Sequence, residues 1–83
     1  MKNTIELAIE AAAKRVLLMN AFEIEESMHS EEVSERLTNE LSGMQYILDA
    51  ISQNTEKHYR FLFREDHIEL GYNNSDGEWI KVN

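Results

Sequence analysis

At Lys57 the spacing of apolar residues along this chain switches from helical to alternating. That switch limits the fold more than any other feature, because a face repeating at about 3.6 residues cannot serve as a strand, nor one repeating at two as a helix. Before it, Val33, Leu37, Leu41, Met44, Leu48 and Ile51 form one stripe of a helix predicted over 30–54, with Ile47 beside them. Ser30 is a natural N-cap, and Glu31 and Glu32 follow in the first turn, where the helix dipole favours anions. Glu32 and Arg36 stand at i, i+4 spacing as an expected ion pair. Gly43 interrupts this helix at a cost of roughly 1 kcal/mol relative to Ala, and it faces away from the stripe.

The first helix is predicted to start near Thr4, with Asn3 or Thr4 as its cap. Ile5, Ala8, Ile9, Ala12, Ala13 and Val16 make its apolar stripe, opposed by Glu6, Glu10 and Lys14. Beyond Val16 the pattern turns. Leu17, Ala21, Ile24 and Met28 keep helical spacing, but on a stripe rotated by more than a quarter turn from the first. Two readings follow. A break near Asn20 re-aims a short segment into the same core, or an unbroken helix offers its second stripe to another subunit.

After Lys57, Tyr59, Phe61 and Phe63 alternate with polar neighbours, as do Ile68, Leu70 and Tyr72, and then Ile80 and Val82. Three strands are predicted. A two-residue turn at Glu65-Asp66 pairs Phe63 with Ile68, Phe61 with Leu70 and Tyr59 with Tyr72, so the large apolar residues share one face. A loop over Asn73–Gly77, closed by Asp76-Gly77, then sets Leu70 opposite Ile80 and Ile68 opposite Val82. In that register Glu69 faces Lys81 across the outer surface. Trp79 covers Gly71, and Arg60 comes within reach of the indole.

The architecture expected is α+β: two main helices, the first either broken near Asn20 or continuous, packed on a three-stranded antiparallel meander in the order α-α-β-β-β. The 83 residues, without proline or a visible linker, make one domain, with a helical half over 4–54 and a β-meander over 57–82. A winged-helix arrangement is the runner-up. Its reading helix would expose Glu31, Glu35 and Asp49 and no cation, which repels phosphates.

Charge interrupts the N-terminal apolar stretch at Glu6, Glu10, Lys14 and Arg15, unlike a signal-peptide core, and the uncharged run Val16–Phe22 is too short to span a bilayer. The chain therefore reads as cytoplasmic, with no membrane partner. The absence of cysteine fits a reducing compartment and removes disulfide and thiolate chemistry. With no staple for so small a core, homodimerisation is the remaining route to more buried area.

Catalytic signals are lacking. His29, His58 and His67 show no metal-ligand spacing, although His58 and His67 could share the outer sheet face. No carboxylate pair stands out among sixteen acids, and no glycine-rich loop is present to cradle a phosphate. The expectation is no catalytic residue, no metal and no cofactor.

Charge carries the functional reading. Seven of the eighteen residues from Glu23 to Glu40 are Glu against one cation, Arg36, which places −6 of a total −8 in one stretch. A compact negative field selects basic protein surfaces and repels nucleic-acid backbones. Glu23, Glu25, Glu26, Glu31, Glu32 and Glu35 are expected to supply that field, with Tyr46, on the polar side of its helix, as a short-range anchor. The sequence thus points to a small acidic, non-enzymatic regulatory module that binds a basic, nucleic-acid-binding surface of a partner as an inhibitor and DNA mimic would. Two alternatives stand beside it. One is a single-stranded nucleic-acid binder using Arg60, Arg64, Trp79 and Lys81 on the outer sheet face. The other is a structural homodimer.

Overall fold

The computed structural model describes residues 2–53 and 56–83. Helix α1, Thr4–Leu18, is capped by Asn3, whose side chain accepts the Glu6 N–H at 2.8 Å. Ala12, Ala13 and Val16 of its predicted stripe are buried. A π-helical segment, Met19–Glu23, follows without interruption and leads into the short helix α2, Ile24–Ser27. The chain neither breaks at Asn20 nor runs on as a regular α-helix. In a π-turn each N–H reaches five residues back, and here the Ile24 N–H donates to the Met19 carbonyl. Met19 and Ile24, five apart, therefore fall on the same side. Met19 is fully buried, and Ile24 packs against the same cluster. The rotated stripe is resolved by that insertion: Ile24 turns inward, while Leu17 and Met28 stay exposed.

Helix α3, Glu31–Ser52, starts at Ser30, whose hydroxyl accepts the Val33 N–H at 3.3 Å. The end expected at Asn54 lies outside the described residues. Val33, Leu37, Leu41 and Leu48 are buried as predicted, whereas Ile47 is exposed at the seam with α1. Truncating Leu48, only 2% exposed, to Ala would cost about 2–5 kcal/mol.

The sheet runs β1 (Arg60–Phe63), β2 (Ile68–Asn73), β3 (Trp79–Lys81), antiparallel throughout with β2 central. The first hairpin has the predicted register: Phe63 pairs with Ile68 and Phe61 with Leu70. Just before β1, Tyr59 meets Tyr72 edge to face at 5.3 Å between centroids. The second hairpin differs from the prediction. Tyr72, not Leu70, lies opposite Ile80, and Gly71 lies opposite Lys81. The loop keeps five residues but begins one residue later, at Asn74. Its cause is the Asn74 side chain, which accepts the N–H groups of both Asp76 and Glu78 at 2.9 Å. Gly77, at φ +80°, supplies the left-handed step. Because the shift conserves strand parity, every side chain keeps its predicted face while its partner changes.

Helices cover one face of the sheet, with Val16, Met19, Leu37, Leu41 and Ile68 in one half of the core and Ala12, Leu48, Tyr59 and Leu70 in the other. Two side-chain amides tie the layers to backbone. Asn20 in the π-segment grips Ile68. Gln45 of α3 grips the outer side of β1, accepting the Phe61 N–H and donating to the Tyr59 carbonyl, both at 3.2 Å.

Candidate functional site

The acidic residues divide into two groups. Glu23 points inward, its side chain 21% exposed, and is held by Arg15 at 2.7 Å and by Arg36 at 3.6 Å. Arg15 also grips Glu40 through two nitrogens, at 2.5 and 2.9 Å. That bidentate bond holds the Glu40 carboxyl below the ordinary carboxylate range. Glu23 and Glu40 are thus spent inside the molecule, and Glu23 drops out of the predicted docking set. Arg36 pairs with Glu23 rather than with Glu32, because the π-segment brings Glu23 against α3.

Glu25, Glu26, Glu31, Glu32 and Glu35 make up the second group. All are exposed, and none has an ion-pair partner among the described residues. The turn at Met28–Ser30 joins α2 to the start of α3, so these carboxylates share one corner of the molecule. Tyr46 lies farther along α3 at 78% exposure. That exposure leaves most of its side chain open to solvent on the polar side of the helix.

The outer sheet face is organised around Glu69, the one buried charged residue among those described, at 9% exposure. Arg64 Nε and Trp79 Nε1 each donate to its carboxylate at 2.9 Å, and His67 Nε2 lies at 3.0 Å. Arg64 chiefly, then Trp79, lowers the Glu69 pKa to about 2. His67 Nδ1 faces Asp66 at 2.7 Å, so both ring nitrogens meet carboxylates and the imidazole pKa rises, mainly through Asp66. The predicted Glu69–Lys81 pair does not form, since the shifted hairpin sets Lys81 against Gly71.

Trp79 covers Gly71 as expected, but diagonally. A Cβ at residue 71 would lie 2.9 Å from the indole and 2.2 Å from the Ile80 carbonyl oxygen. Arg60 stacks over the indole at 5.6 Å and donates to Asn73 at 2.8 Å. Of the four residues named for nucleic-acid binding, the structure brings Arg60, Arg64 and Trp79 together, yet each is already engaged. Lys81 remains exposed and outside the cluster.

His58 does not join His67. It lies before β1 and meets Asp49 of α3 at 2.9 Å, which lowers the Asp49 pKa. Among the described residues no three His, Asp or Glu side chains converge as a metal ion requires. No helix among them is long and apolar enough to cross a membrane.

Sequence reasoning missed Asn20 and Gln45, whose roles depend on backbone brought near by the fold. The available signal was a lone amide within the nearly all-apolar girth from Val16 to Phe22. It also missed Thr38, which lines three surface hollows along α3. Comparison with protein-family models, with curated proteins and with solved structures finds no match to this chain.

Proposed function

We propose that this protein is a small non-enzymatic regulatory module that docks on a basic protein surface through its acidic helical corner. The observation that carries the reading is the set of five exposed glutamates at the α2–α3 corner without cationic partners among the described residues, set against the neutralised Glu23 and Glu40. Free carboxylates around the α2–α3 turn of a chain of net charge −8 attract a cationic surface over a Debye length of about 8–10 Å. Tyr46 supplies an exposed aromatic contact of the kind enriched in binding hot spots. A surface that a partner uses for phosphate contacts suits such a corner, and occupying it makes the module an inhibitor by competition.

The nucleic-acid alternative has weaker support. Glu69 sits within the same cluster as Arg60, Arg64 and Trp79, and Arg60 covers the indole on which a base would stack. The homodimer reading retains Leu17 and Met28 as exposed apolar residues but loses Ile24 to the core.

Capture from a native lysate on the immobilised chain tests the proposal. Basic proteins should be retained at low salt, released at high salt, and lost when Glu31, Glu32 and Glu35 are each replaced by Gln. Retention indifferent to both salt and charge removal contradicts it.

A further inference from the structure

β1 is an edge strand. The Arg64 N–H donates to the His67 carbonyl, which fixes the alternation of the ladder. Phe61 and Phe63 therefore turn their N–H and C=O groups away from β2. Gln45 covers the Tyr59–Phe61 part of that edge. The Phe61 carbonyl and both polar groups of Phe63 have no protein partner among the described residues. An open edge beside an exposed aromatic side chain is what folded proteins ordinarily cover, and Phe63 is 66% exposed.

A groove runs beside this open stretch, between α3 and β1. It consists of two hollows of about 240 and 270 Å3 that share Thr38, Leu41 and Phe63. The larger one is closed at its end by Gln45, and the smaller is floored by Ile24, Leu37 and Ile68.

Carboxylates without a cationic partner among the described residues lie along the groove. Glu31 and Glu35 line the adjoining hollow on α3, and Glu65 stands at the hairpin end. Arg64 and His67 also line the smaller hollow, but both are matched by carboxylates, Arg64 by Glu69 and His67 by Asp66 and Glu69, while Arg60 bonds Asn73 and stacks on Trp79.

We propose that this groove takes an extended, basic segment of the partner protein as a fourth strand on β1. Its backbone bonds Phe63 and the Phe61 carbonyl. One apolar side chain enters the hollow floored by Leu37 and Ile68, and flanking Lys or Arg residues meet Glu31, Glu35 and Glu65. A second copy of this chain is disfavoured as occupant, because it would bring Glu31 and Glu35 of two α3 helices toward each other in a pair of net charge −16. The inference rests on the acidic-corner reading for the sign of the partner. It adds where the partner's backbone goes.

The test is an NMR titration of the whole chain, at low salt, with a blocked heptapeptide of alternating lysine and valine. Expected are shift changes concentrated at Phe61–Arg64 and Thr38–Ser42, with slowed exchange of the Phe63 amide. A glutamate–valine peptide should produce none. Phe63→Pro removes an outward N–H at an edge position that tolerates proline, and should weaken binding about tenfold. Thr38→Arg, at an exposed helix position, should weaken it comparably without touching the core. Shift changes confined to Glu25–Glu35 overturn the strand proposal while leaving the acidic corner standing. No shift changes at millimolar peptide overturn it as well, as does a free chain that sediments as a dimer with the Phe63 amide already protected.

Discussion

The side-chain amide of Asn20 takes the place of a β-strand for Ile68. It accepts the Ile68 N–H at 2.8 Å and donates to the Ile68 carbonyl at 2.9 Å, on the side of β2 beyond the pairing with β3. Ile68 is 4% exposed, so removing the amide strands a buried donor and leaves the carbonyl only the 3.4 Å contact from Asn83. Asn20→Ala should cost about 2–4 kcal/mol and lower the melting temperature by roughly 10 °C or more. Asn20→Asp should do no better, since a carboxylate would face the Ile68 carbonyl. Thermal unfolding of the two variants checks this, and an unchanged midpoint for Asn20→Ala contradicts it.

Gly71 should accept no side chain. A Cβ there meets the Ile80 carbonyl oxygen at 2.2 Å, so Gly71→Ala forces β2 and β3 apart at ~3 kcal/mol or more. Trp79→Ala in the same chain relieves the ring contact and leaves the backbone one. Urea denaturation should therefore find no rescue in the double variant.

Gly43 is the opposite case. It lies exposed within α3, and a Cβ there meets nothing within 4 Å. Gly43→Ala should stabilise the protein by about 0.5–1 kcal/mol, read as a rise of several degrees in melting temperature.

Stability should depend on pH through the outer face. The Glu69 pKa falls from 4.5 to about 2 on folding, so its contribution is complete above 4.5 and fades as pH drops toward 2. His67 is raised above 6.5, so its contribution is complete below 6.5 and fades as pH climbs through the folded value. Urea midpoints across pH should show both limbs. The difference between wild type and Glu69→Gln should shrink steadily below pH 4.5, and a constant difference contradicts the assignment.

Both helices, the first hairpin and the face of every strand residue could be read from periodicity, because burial on one side of each element leaves a direct imprint on spacing. The second hairpin could not be registered that way. A two-residue slip keeps Trp79, Lys81 and Glu69 on the same face, so the apolar pattern is indifferent to it. The choice was made by Asn74 bonding two loop amides, a local contact without periodicity. The π-segment left a partial trace in the rotated stripe of Leu17, Ala21, Ile24 and Met28. Its consequence, the inward turn of Met19 and of Glu23, depends on a backbone bond that composition does not record. In the candidate site the exposed glutamates and Tyr46 were legible as charge and polarity. The loss of Glu23 to Arg15 was not, because those residues meet only through the turn of the π-segment.

The most direct measurement is the association rate of a captured basic partner with this chain at increasing salt, set beside the chain carrying Glu31→Gln, Glu32→Gln and Glu35→Gln. The account predicts a wild-type rate that falls about tenfold or more between low and physiological salt, and a markedly flatter dependence for the variant. Equal slopes for the two proteins would contradict it.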